Sequence, residues 1–389
     1  MPYSDKNEIL SVKKNVFWMG ITSLFTDISS EMIYPILPIF LTSYLGVSKA
    51  FLGLIEGVAE STASILKIFS GWFSDRFRRR KPPVVWGYSL SALSKPLLAL
   101  STSGIHVLFL RFFDRVGKGI RTSPRDALIS ESTPKEKTGM AFGFHRAMDT
   151  LGAVIGPLLA FMILPKLGNN IRPIFLIAFI PAAIAVALLW FFVKEKRAEK
   201  EDKRSEVKFS FAPFNFRMKF FIFVVFLFTL GNSSNAFLIL RAQNTGVAVV
   251  LIPILWLVFN AVYSVTAMPA GILSDRIGRK KVIIGGYIIY SMVYFGLAYV
   301  NAPALVWLLF ALYGVHYGMT DGTERAFISD IAPKEYKATA FGIYHAAVGF
   351  ALLPASVIMG LLWQSLGATI AFSFGGVLAG VAALLLLFV

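Results

Sequence analysis

The sequence contains no cysteine, so disulfide bonds and thiolate metal ligands are excluded and the redox compartment stays unconstrained. It is also poor in charge: 15% of its residues are Asp, Glu, Lys or Arg, against about a quarter in an average soluble domain. It has no Gly-x-x-x-x-Gly-Lys-Ser/Thr phosphate loop, and its four histidines show no metal-ligand spacing. These absences argue against an enzyme, an ATP-driven pump and a metal site.

What the chain has in abundance is apolar surface: 56% of its residues are hydrophobic, 36 are Phe, and its mean hydropathy is +0.67. A helix that crosses the hydrocarbon core of a bilayer needs about 20 mostly apolar residues. The sequence therefore predicts a multi-pass membrane protein. Twelve segments meet the length requirement: 16–43, 51–71, 83–103, 105–122, 139–164, 172–193, 218–240, 247–270, 281–300, 303–322, 338–363 and 367–389.

Six of these segments precede a strongly charged stretch, Lys194–Lys208, and six follow it. A stretch so polar cannot be buried, and we expect a solvated, partly helical linker. The predicted fold is an all-α membrane protein with twelve transmembrane helices in two pseudo-symmetric six-helix bundles. Its predicted parts are an amino-terminal bundle over 1–193, a cytoplasmic linker over 194–217 and a carboxyl-terminal bundle over 218–389.

Two internal repeats indicate the same division. The sequence GWFSDRFRRRK at Gly71–Lys81 is echoed by GILSDRIGRKK at Gly271–Lys281. A second pair follows, ISESTPKEKTGMAFGFHRA from Ile129 and ISDIAPKEYKATAFGIYHA from Ile328. Because matched segments recur in the same order in a largely apolar chain, they predict two homologous membrane halves.

The formal net charge of +16 comes from clusters of Lys and Arg in short loops between apolar segments. Cytoplasmic loops of membrane proteins carry such an excess, and here the loops of the opposite side hold only isolated bases. We therefore expect a multi-pass protein of the cytoplasmic (inner) membrane with both termini in the cytoplasm. The same pattern argues against nucleic-acid binding.

Several carboxylates lie within the predicted spans, where a charge is costly and usually marks a transport pathway or a charge partner. Asp27 and Glu31 stand one turn apart and share a helix face. Burial disfavours the charged form of a carboxyl group and a nearby arginine favours it, so a group exposed to both influences in turn can bind and release a proton. The candidates for proton coupling are Asp27, Glu31, Glu56, Glu60 and Asp149.

Bases also lie within the spans. Arg111, Asp114, Arg115 and Lys118 follow helical spacing and form one charged face. For any one such residue a purely structural role stays open, as a buried pair that fixes the packing of two helices. The amino-terminal half holds most of these charges, so we expect ion coupling there. The candidates for substrate binding or counter-charge are Lys95, Arg111, Asp114, Arg115, Lys118, Asn232, Asn235, Asn260 and His316.

The first repeated motif resembles the major facilitator superfamily sequence Gly-x-x-x-Asp-Arg-x-Gly-Arg-Arg-Lys, and the resemblance covers essentially the whole chain. Arg78 stands where the superfamily usually has Gly, whereas the second copy keeps Gly278. The resemblance implies two rocking six-helix halves around a cavity lined by helices 1, 4, 7 and 10. It also implies a gate that closes the cytoplasmic side, formed by Gly71, Asp75, Arg76, Arg79, Gly271, Asp275, Arg276 and Arg279.

The fifth predicted helix carries Gly152, Gly156 and Pro157, an element similar to the Gly-x-x-x-Gly-Pro of the superfamily's drug–proton antiporters. The glycine spacing permits close helix contact, and the proline allows a bend. Plain helix packing explains the same spacing. The element nevertheless favours the drug–proton antiporter branch.

Two functions fit these observations. The first is proton-coupled export of a small organic solute by a monomer, with the proton gradient as the energy source and no cofactor. The second is a proton-coupled symporter or exchanger for an anionic solute, such as an organic acid, a siderophore or a phosphorylated compound. Lys95, Arg111 and Arg115 motivate the second, because arginine forms bidentate contacts with carboxylate and phosphate. A metal-ion carrier is less favoured than either of these, and an enzyme is less favoured still.

Overall fold

The structure, a computed structural model, describes the backbone of residues 8–9, 12–77, 79–134, 137–195, 214–333 and 336–389, and the side chains of the same residues except 8, 68, 71–77 and 338. A short antiparallel pair, β1 (Glu8–Ile9) and β2 (Val12–Lys13), precedes the helices. The helices are α1 (Lys14–Ile33), α2 (Leu37–Ile39), α3 (Lys49–Phe77), α4 (Lys81–Ala99), α5 (Gly104–Glu131), α6 (Thr138–Ile163), α7 (Arg172–Phe192), α8 (Phe216–Gly231), α9 (Asn235–Asn244), α10 (Ile252–Ile277), α11 (Arg279–Tyr299), α12 (Pro303–Ile331), α13 (Lys337–Leu366) and α14 (Ala368–Leu385).

The apolar runs of the sequence form these helices, and short polar residues begin several of them. The Ser103 hydroxyl accepts a hydrogen bond at the start of α5, and the Asn215 side chain accepts one at the start of α8. Within the described residues, nine helical segments are long and apolar enough to cross a membrane. Helices α4 and α5, which carry many of the candidate charges, fall outside that set.

Two predicted spans contain a break in the α-helix, although each remains one candidate membrane span, Lys14–Tyr44 and Phe216–Asn244. The first breaks after Ile33: Pro35 lacks a backbone donor, and the chain resumes as α2 and a π-helical turn over Phe40–Tyr44. The seventh breaks at 232–234, so Asn232, Ser233 and Ser234 lie between α8 and α9. Asn and Ser side chains compete for backbone hydrogen bonds, and Ser234 instead caps α9.

Other helices run past their predicted ends on the side rich in bases. The fourth predicted helix, 105–122, extends to Glu131, and the tenth, 303–322, extends to Ile331. Counting apolar residues locates only the part of a helix that lies in hydrocarbon, and the polar turns beyond it stay helical. The charged stretch 196–213 lies outside the described residues.

The contacts group the chain into two compact units. Unit 1 comprises 1–34 and 65–202, and unit 2 comprises 35–64 and 203–389. In unit 1, α1 packs against α6 and α7, and α4 packs against α5 and α7. In unit 2, α10 and α11 pack against α12, while α14 packs against α8 and α11. Residues 35–64, which the sequence prediction assigns to the first bundle, cluster with the carboxyl-terminal half.

Candidate functional site

Four helices of unit 1 bring the predicted charges together. The face of α5 that carries them turns inward, because Arg111 and Arg115 are buried while the neighbouring Phe112 and Phe113 are exposed. Helices α1, α4 and α6 supply the charges that meet this face. We call the set the unit 1 cluster: Asp27, Glu31, Lys95, Arg111, Asp114, Arg115, Lys118, Arg121, His145 and Asp149.

Asp114 lies at the centre of the bases on α5. Its Oδ2 is 3.6 Å from Nη1 of Arg111 and 3.8 Å from Nε of Arg115. The Ser91 hydroxyl of α4 donates to its Oδ1. One carboxylate therefore faces two guanidinium groups.

Lys95 reaches the cluster from α4 and is 3% exposed. Its Nζ donates to the hydroxyl of Ser29 at 2.5 Å and to that of Ser30 at 3.2 Å, both on α1. The Ser29 hydroxyl in turn donates to the carbonyl of Ala178 on α7. The electrostatic neighbours of Lys95 include Asp27 and Asp114, so this ammonium links the carboxylates of α1 and α5.

The carboxylates of α1 and α6 form the other side of the cluster. The Ser23 hydroxyl donates to Asp149, and Nδ1 of His145 lies 3.5 Å from Oδ2 of the same residue. Asp149 and Glu31 act on Asp27 as like charges, while Lys118 and Arg121 act as opposite charges. Three predicted proton-coupling candidates thus share one electrostatic environment with bases of α5.

The glycines of the Gly-x-x-x-Gly-Pro element set the distance between α6 and α1. A Cβ added at Gly152 would lie 2.7 Å from the carbonyl oxygen of Leu24, and one added at Gly156 would lie 2.6 Å from that of Ile28. Pro157 follows inside α6. Only glycine permits this approach, so the element holds α6 against the face of α1 that carries the carboxylates.

The balance of charge in unit 1 favours bases. Among its described residues, the fully ionic side chains that are buried are Lys95, Arg111, Arg115 and Arg121. The carboxylates of the cluster are only partly buried. Guanidinium and ammonium groups bind carboxylates and phosphates, so this part of the cluster has the chemistry of an anion site.

The other two proton-coupling candidates, Glu56 and Glu60, lie in the part of α3 that belongs to unit 2. Glu56 is 1% exposed, and its Oε2 accepts a hydrogen bond of 3.2 Å from the Ser234 hydroxyl. Ser234 stands at the break between α8 and α9. The interrupted seventh helix thus presents a hydroxyl to a buried carboxyl group.

The polar candidates of unit 2 meet aromatic partners. Asn235 accepts a 2.6 Å hydrogen bond from the Tyr313 hydroxyl, and Asn232 accepts one of 3.3 Å from Tyr290. Nδ1 of the buried His316 lies 2.9 Å from the carbonyl oxygen of Gly286. Nδ2 of Asn260 is buried, with no hydrogen-bond partner among the described residues. Asn232, Asn235 and His316 therefore have aromatic side chains as neighbours.

Glu324 is a functional candidate that the sequence reasoning missed. It is 7% exposed on α12, and its carboxyl oxygens accept hydrogen bonds from the hydroxyls of Tyr287 at 3.0 Å and Tyr344 at 2.8 Å. The two tyrosines belong to α11 and α13, remote in sequence. Only the presence of an acid near the end of an apolar run could have indicated this group.

The residues of the expected gate differ in what can be described. The side chains of Gly71, Asp75 and Arg76 lie outside the described residues, and Arg79 is exposed. In the second copy Asp275 and Arg276 are exposed, and no described atom lies within 4 Å of a Cβ added at Gly271. Arg279 forms ion pairs with Asp275, at 3.2 Å, and with Asp330 at the end of α12. This copy therefore ties α10, α11 and α12 together.

An all-helical chain with many apolar spans and a buried cluster of charges defines a membrane transporter. The sequence profile of the Major Facilitator Superfamily matches residues 19–240 and 220–389. The chain belongs to this superfamily and is a multi-pass membrane transporter, not an enzyme.

Known proteins similar to the chain include several transporters. An uncharacterized MFS-type transporter of Methanocaldococcus jannaschii is 42% identical over 386 residues, 97% of this chain and 95% of the relative. The cis,cis-muconate transport protein of Acinetobacter baylyi is 26% identical, and the match covers 88% of this chain and 86% of that protein. The multi-drug resistance efflux pump PmrA of Streptococcus pneumoniae is 24% identical, and the match covers 82% of this chain and 81% of PmrA. The crystal structure of the nucleoside transporter NupG shares the fold, with a TM-score of 0.79 at 15% identity, covering 96% of this chain and 97% of NupG.

Proposed function

We propose that the protein is a proton-coupled secondary transporter that moves a small organic anion across the cytoplasmic membrane by alternating access. Twelve membrane-spanning helices in two six-helix bundles, acting as a monomer with both termini in the cytoplasm, carry this movement. The proton gradient supplies the energy, without a cofactor. The observation that carries the proposal is the pair of buried arginines, Arg111 and Arg115, beside Asp114.

The anion is supported by chemistry as well as by charge. Arg111 and Arg115 present planar guanidinium groups to Asp114, and such groups also bind a carboxylate or phosphate through two parallel hydrogen bonds. A substrate carboxylate could replace Asp114 as the partner of one arginine. The cis,cis-muconate transport protein, whose name specifies an organic anion, is a relative.

Export of a small organic solute by proton antiport is the second candidate. The close contact of Gly152 and Gly156 with α1 favours it, because the sequence element resembles that of drug–proton antiporters. A relative named as an efflux pump supports the same direction. In this case Asp27, Glu31 and Asp149 would exchange protons for substrate.

Proteoliposomes with an imposed pH gradient test both candidates. Labelled cis,cis-muconate should move with protons through the wild-type protein, and Arg115→Gln should lower its transport by about tenfold or more, the effect of losing about 1.4 kcal/mol or more of charge-assisted binding. Lys166→Gln, which removes an exposed base outside the cluster, is the matched control and should leave transport unchanged.

The two candidates differ in the kind of solute whose movement is coupled to protons. If a cationic or neutral drug discharges the pH gradient and no organic anion does, antiport export replaces the anion proposal. Asp27→Asn, Glu31→Gln, Glu56→Gln, Glu60→Gln and Asp149→Asn, made one at a time, then identify the coupling group. If no carboxylate substitution alters proton flux, proton coupling itself is wrong.

A further inference from the structure

A groove of about 540 Å³ lies in unit 2 where α10 meets α11, at the second copy of the repeated motif. Its rim is basic, formed by Arg217 at the start of α8 together with Arg279, Lys280 and Lys281 at the start of α11. Asp330 at the end of α12 is the one acid among the lining residues. The groove therefore joins a basic rim to the ends of several helices.

Asp330 is already engaged, and the remaining bases are not neutralised. Arg279 pairs with Asp330 and with Asp275. Lys280 donates through Nζ to the carbonyl of Leu387 at 2.9 Å, and Arg217 donates through Nε to the backbone oxygen of Val389 at 3.1 Å. No ion pair among the described residues involves Arg217, Lys280 or Lys281. The rim thus holds three bases that form no ion pair with a described Asp or Glu side chain.

In the first copy of the motif, the base that corresponds to Lys280 has different partners. Arg80, which matches Lys280, lies 3.1 Å from Glu131, the residue that matches Asp330. The backbone N–H of Arg80 also donates to the carboxylate of Glu195. Two acids therefore lie close to Arg80 in unit 1, whereas the acid of unit 2 pairs with Arg279 and not with Lys280.

The floor of the groove is apolar and continues along the outside of the helices. Ile284 and Leu387 line it. Ile288 and Met292 follow Ile284 at one-turn intervals on α11, with 46% and 56% of their surface exposed. Leu384, 62% exposed, stands one turn before Leu387 on the neighbouring α14. In a membrane protein such a surface faces acyl chains, so the basic rim stands at the end of a lipid-facing track.

We propose that this groove binds the headgroup of an anionic phospholipid, its phosphate against Arg217, Lys280 and Lys281 and its acyl chains along α11 and α14. Anionic lipids are attracted to basic clusters at the cytoplasmic ends of helices. A soluble phosphate would use the rim but gain nothing from the apolar track. The proposal depends on the protein lying in a membrane with these helix ends at the lipid headgroups.

Native mass spectrometry of the purified protein in a neutral detergent tests this. Phosphatidylglycerol should bind saturably and more tightly than phosphatidylcholine, and glycerol 3-phosphate should not displace it. Each base near an anionic headgroup contributes about 1 kcal/mol, or about fivefold in affinity. The triple substitution R217Q/K280Q/K281Q should therefore weaken phosphatidylglycerol binding by about a hundredfold. K280R/K281R, which keeps the charges, should bind like the wild type.

A matched control removes bases from the first copy. R79Q/K81Q should change phosphatidylglycerol affinity by less than about twofold, because the site lies in unit 2. Should the triple variant fail to fold, Lys281→Gln alone is sufficient: its side chain is exposed, and a fivefold loss is expected.

Four outcomes overturn the proposal: unchanged affinity in the triple variant or in Lys281→Gln, equal binding of phosphatidylcholine, displacement by glycerol 3-phosphate at matched concentrations, or an equal loss in the first-copy control. Displacement would indicate a site for free phosphate. Binding is measured on the resting protein without substrate, so failure here is distinguishable from failure of the transport proposal.

Discussion

Each unit contains one copy of the repeated motifs, yet an acid in each has different partners. In unit 1 Asp114 faces the guanidinium groups of Arg111 and Arg115. In unit 2 Glu324 accepts hydrogen bonds from the hydroxyls of Tyr287 and Tyr344. Packed helices thus surround one acid with charges and the other with hydroxyl groups.

This difference decides which group can change its protonation without losing its partners. A guanidinium only donates hydrogen bonds, so it holds a neighbouring carboxyl group in the ionised form. A hydroxyl donates to a carboxylate and can turn to accept from a carboxylic acid. Glu324, with two tyrosine hydroxyls, therefore keeps hydrogen bonds in either form. The arginines beside Asp114 offer no such alternative.

The largest expected effect separates α1 from α6 and so breaks the unit 1 cluster alone. Gly156→Leu would place a Cβ 2.6 Å from the carbonyl oxygen of Ile28, a backbone atom that cannot turn aside. We expect a loss of about 3 kcal/mol or more in unfolding free energy, and loss of transport. Thermal unfolding of the purified protein measures the first.

Gly143→Leu on the same helix is the control, since no described atom lies within 4 Å of an added Cβ there. Its unfolding temperature should stay near that of the wild type. Equal destabilisation by the two substitutions would show that contact with α1 is not the cause, since Gly→Leu by itself favours the helix.

The next effect compares one acid from each unit. Asp114→Asn removes the carboxylate between two buried guanidinium groups. We expect the free energy of unfolding to fall by about 3 kcal/mol, because buried charges lose their compensation. Glu324→Gln keeps the shape and a hydrogen-bonding oxygen, so its loss should be about 1 kcal/mol or less. Chemical denaturation of both variants in one detergent gives the comparison.

A double substitution shows whether the charge is the cause. R111Q/D114N should recover part of the stability lost in Asp114→Asn, because one surplus cation leaves with the anion. If Asp114→Asn and Glu324→Gln cost the same, the distinction between charged and hydroxyl partners carries no energetic weight.

A smaller effect is expected when one of the tyrosine hydroxyls beside Glu324 is removed. Tyr344→Phe deletes the 2.8 Å hydrogen bond to Glu324 and leaves that of Tyr287 in place. The expected loss is about 1 kcal/mol, the net value of one buried hydrogen bond. Tyr299→Phe, an exposed tyrosine of the same unit, is the matched control. If Tyr344→Phe leaves the stability unchanged, the hydrogen bond from Tyr287 alone is sufficient to stabilise the carboxyl group of Glu324.

Much of this architecture follows from sequence, because the apolar runs and the repeats report it directly. The prediction of an all-helical membrane protein of this superfamily is confirmed. The breaks near Pro35 and at Asn232 escaped a count of apolar residues, since both segments remain apolar enough overall to be read as one span. Local backbone chemistry, not average hydropathy, decides where a helix stops.

The site was less accessible to sequence reasoning. Spacing on one helix placed Arg111, Asp114 and Arg115 on a common face, and the structure joins them. Partners on different helices carry no such signal: the tyrosines of Glu324 lie on α11 and α13, and the neighbours of Lys95 lie on α1. Helix packing decides which acid lies beside an arginine and which lies beside a hydroxyl. Contacts between different helices cannot be predicted from the spacing of residues in one sequence.

The smallest effect concerns a feature in which the units agree. Arg172 of unit 1 donates through Nη1 to the carbonyl of Ala99 at 2.6 Å and through Nη2 to that of Ser101 at 2.9 Å. Arg241 of unit 2 donates to the carbonyl of Leu297 at 2.7 Å and to that of Val300 at 2.8 Å. Each guanidinium fastens the end of a helix, α4 in one unit and α11 in the other.

Arg172→Lys and Arg241→Lys keep the charge but lose the planar fork that reaches two carbonyls at once. We expect each to lower the unfolding free energy by about 0.5 to 1 kcal/mol, and by the same amount in both units. Lys166→Arg, at an exposed position near Arg172, is the control and should be neutral. Thermal unfolding measures all three. A loss confined to one unit would mean that the asymmetry extends beyond the acids to the basic residues that fasten the helix ends.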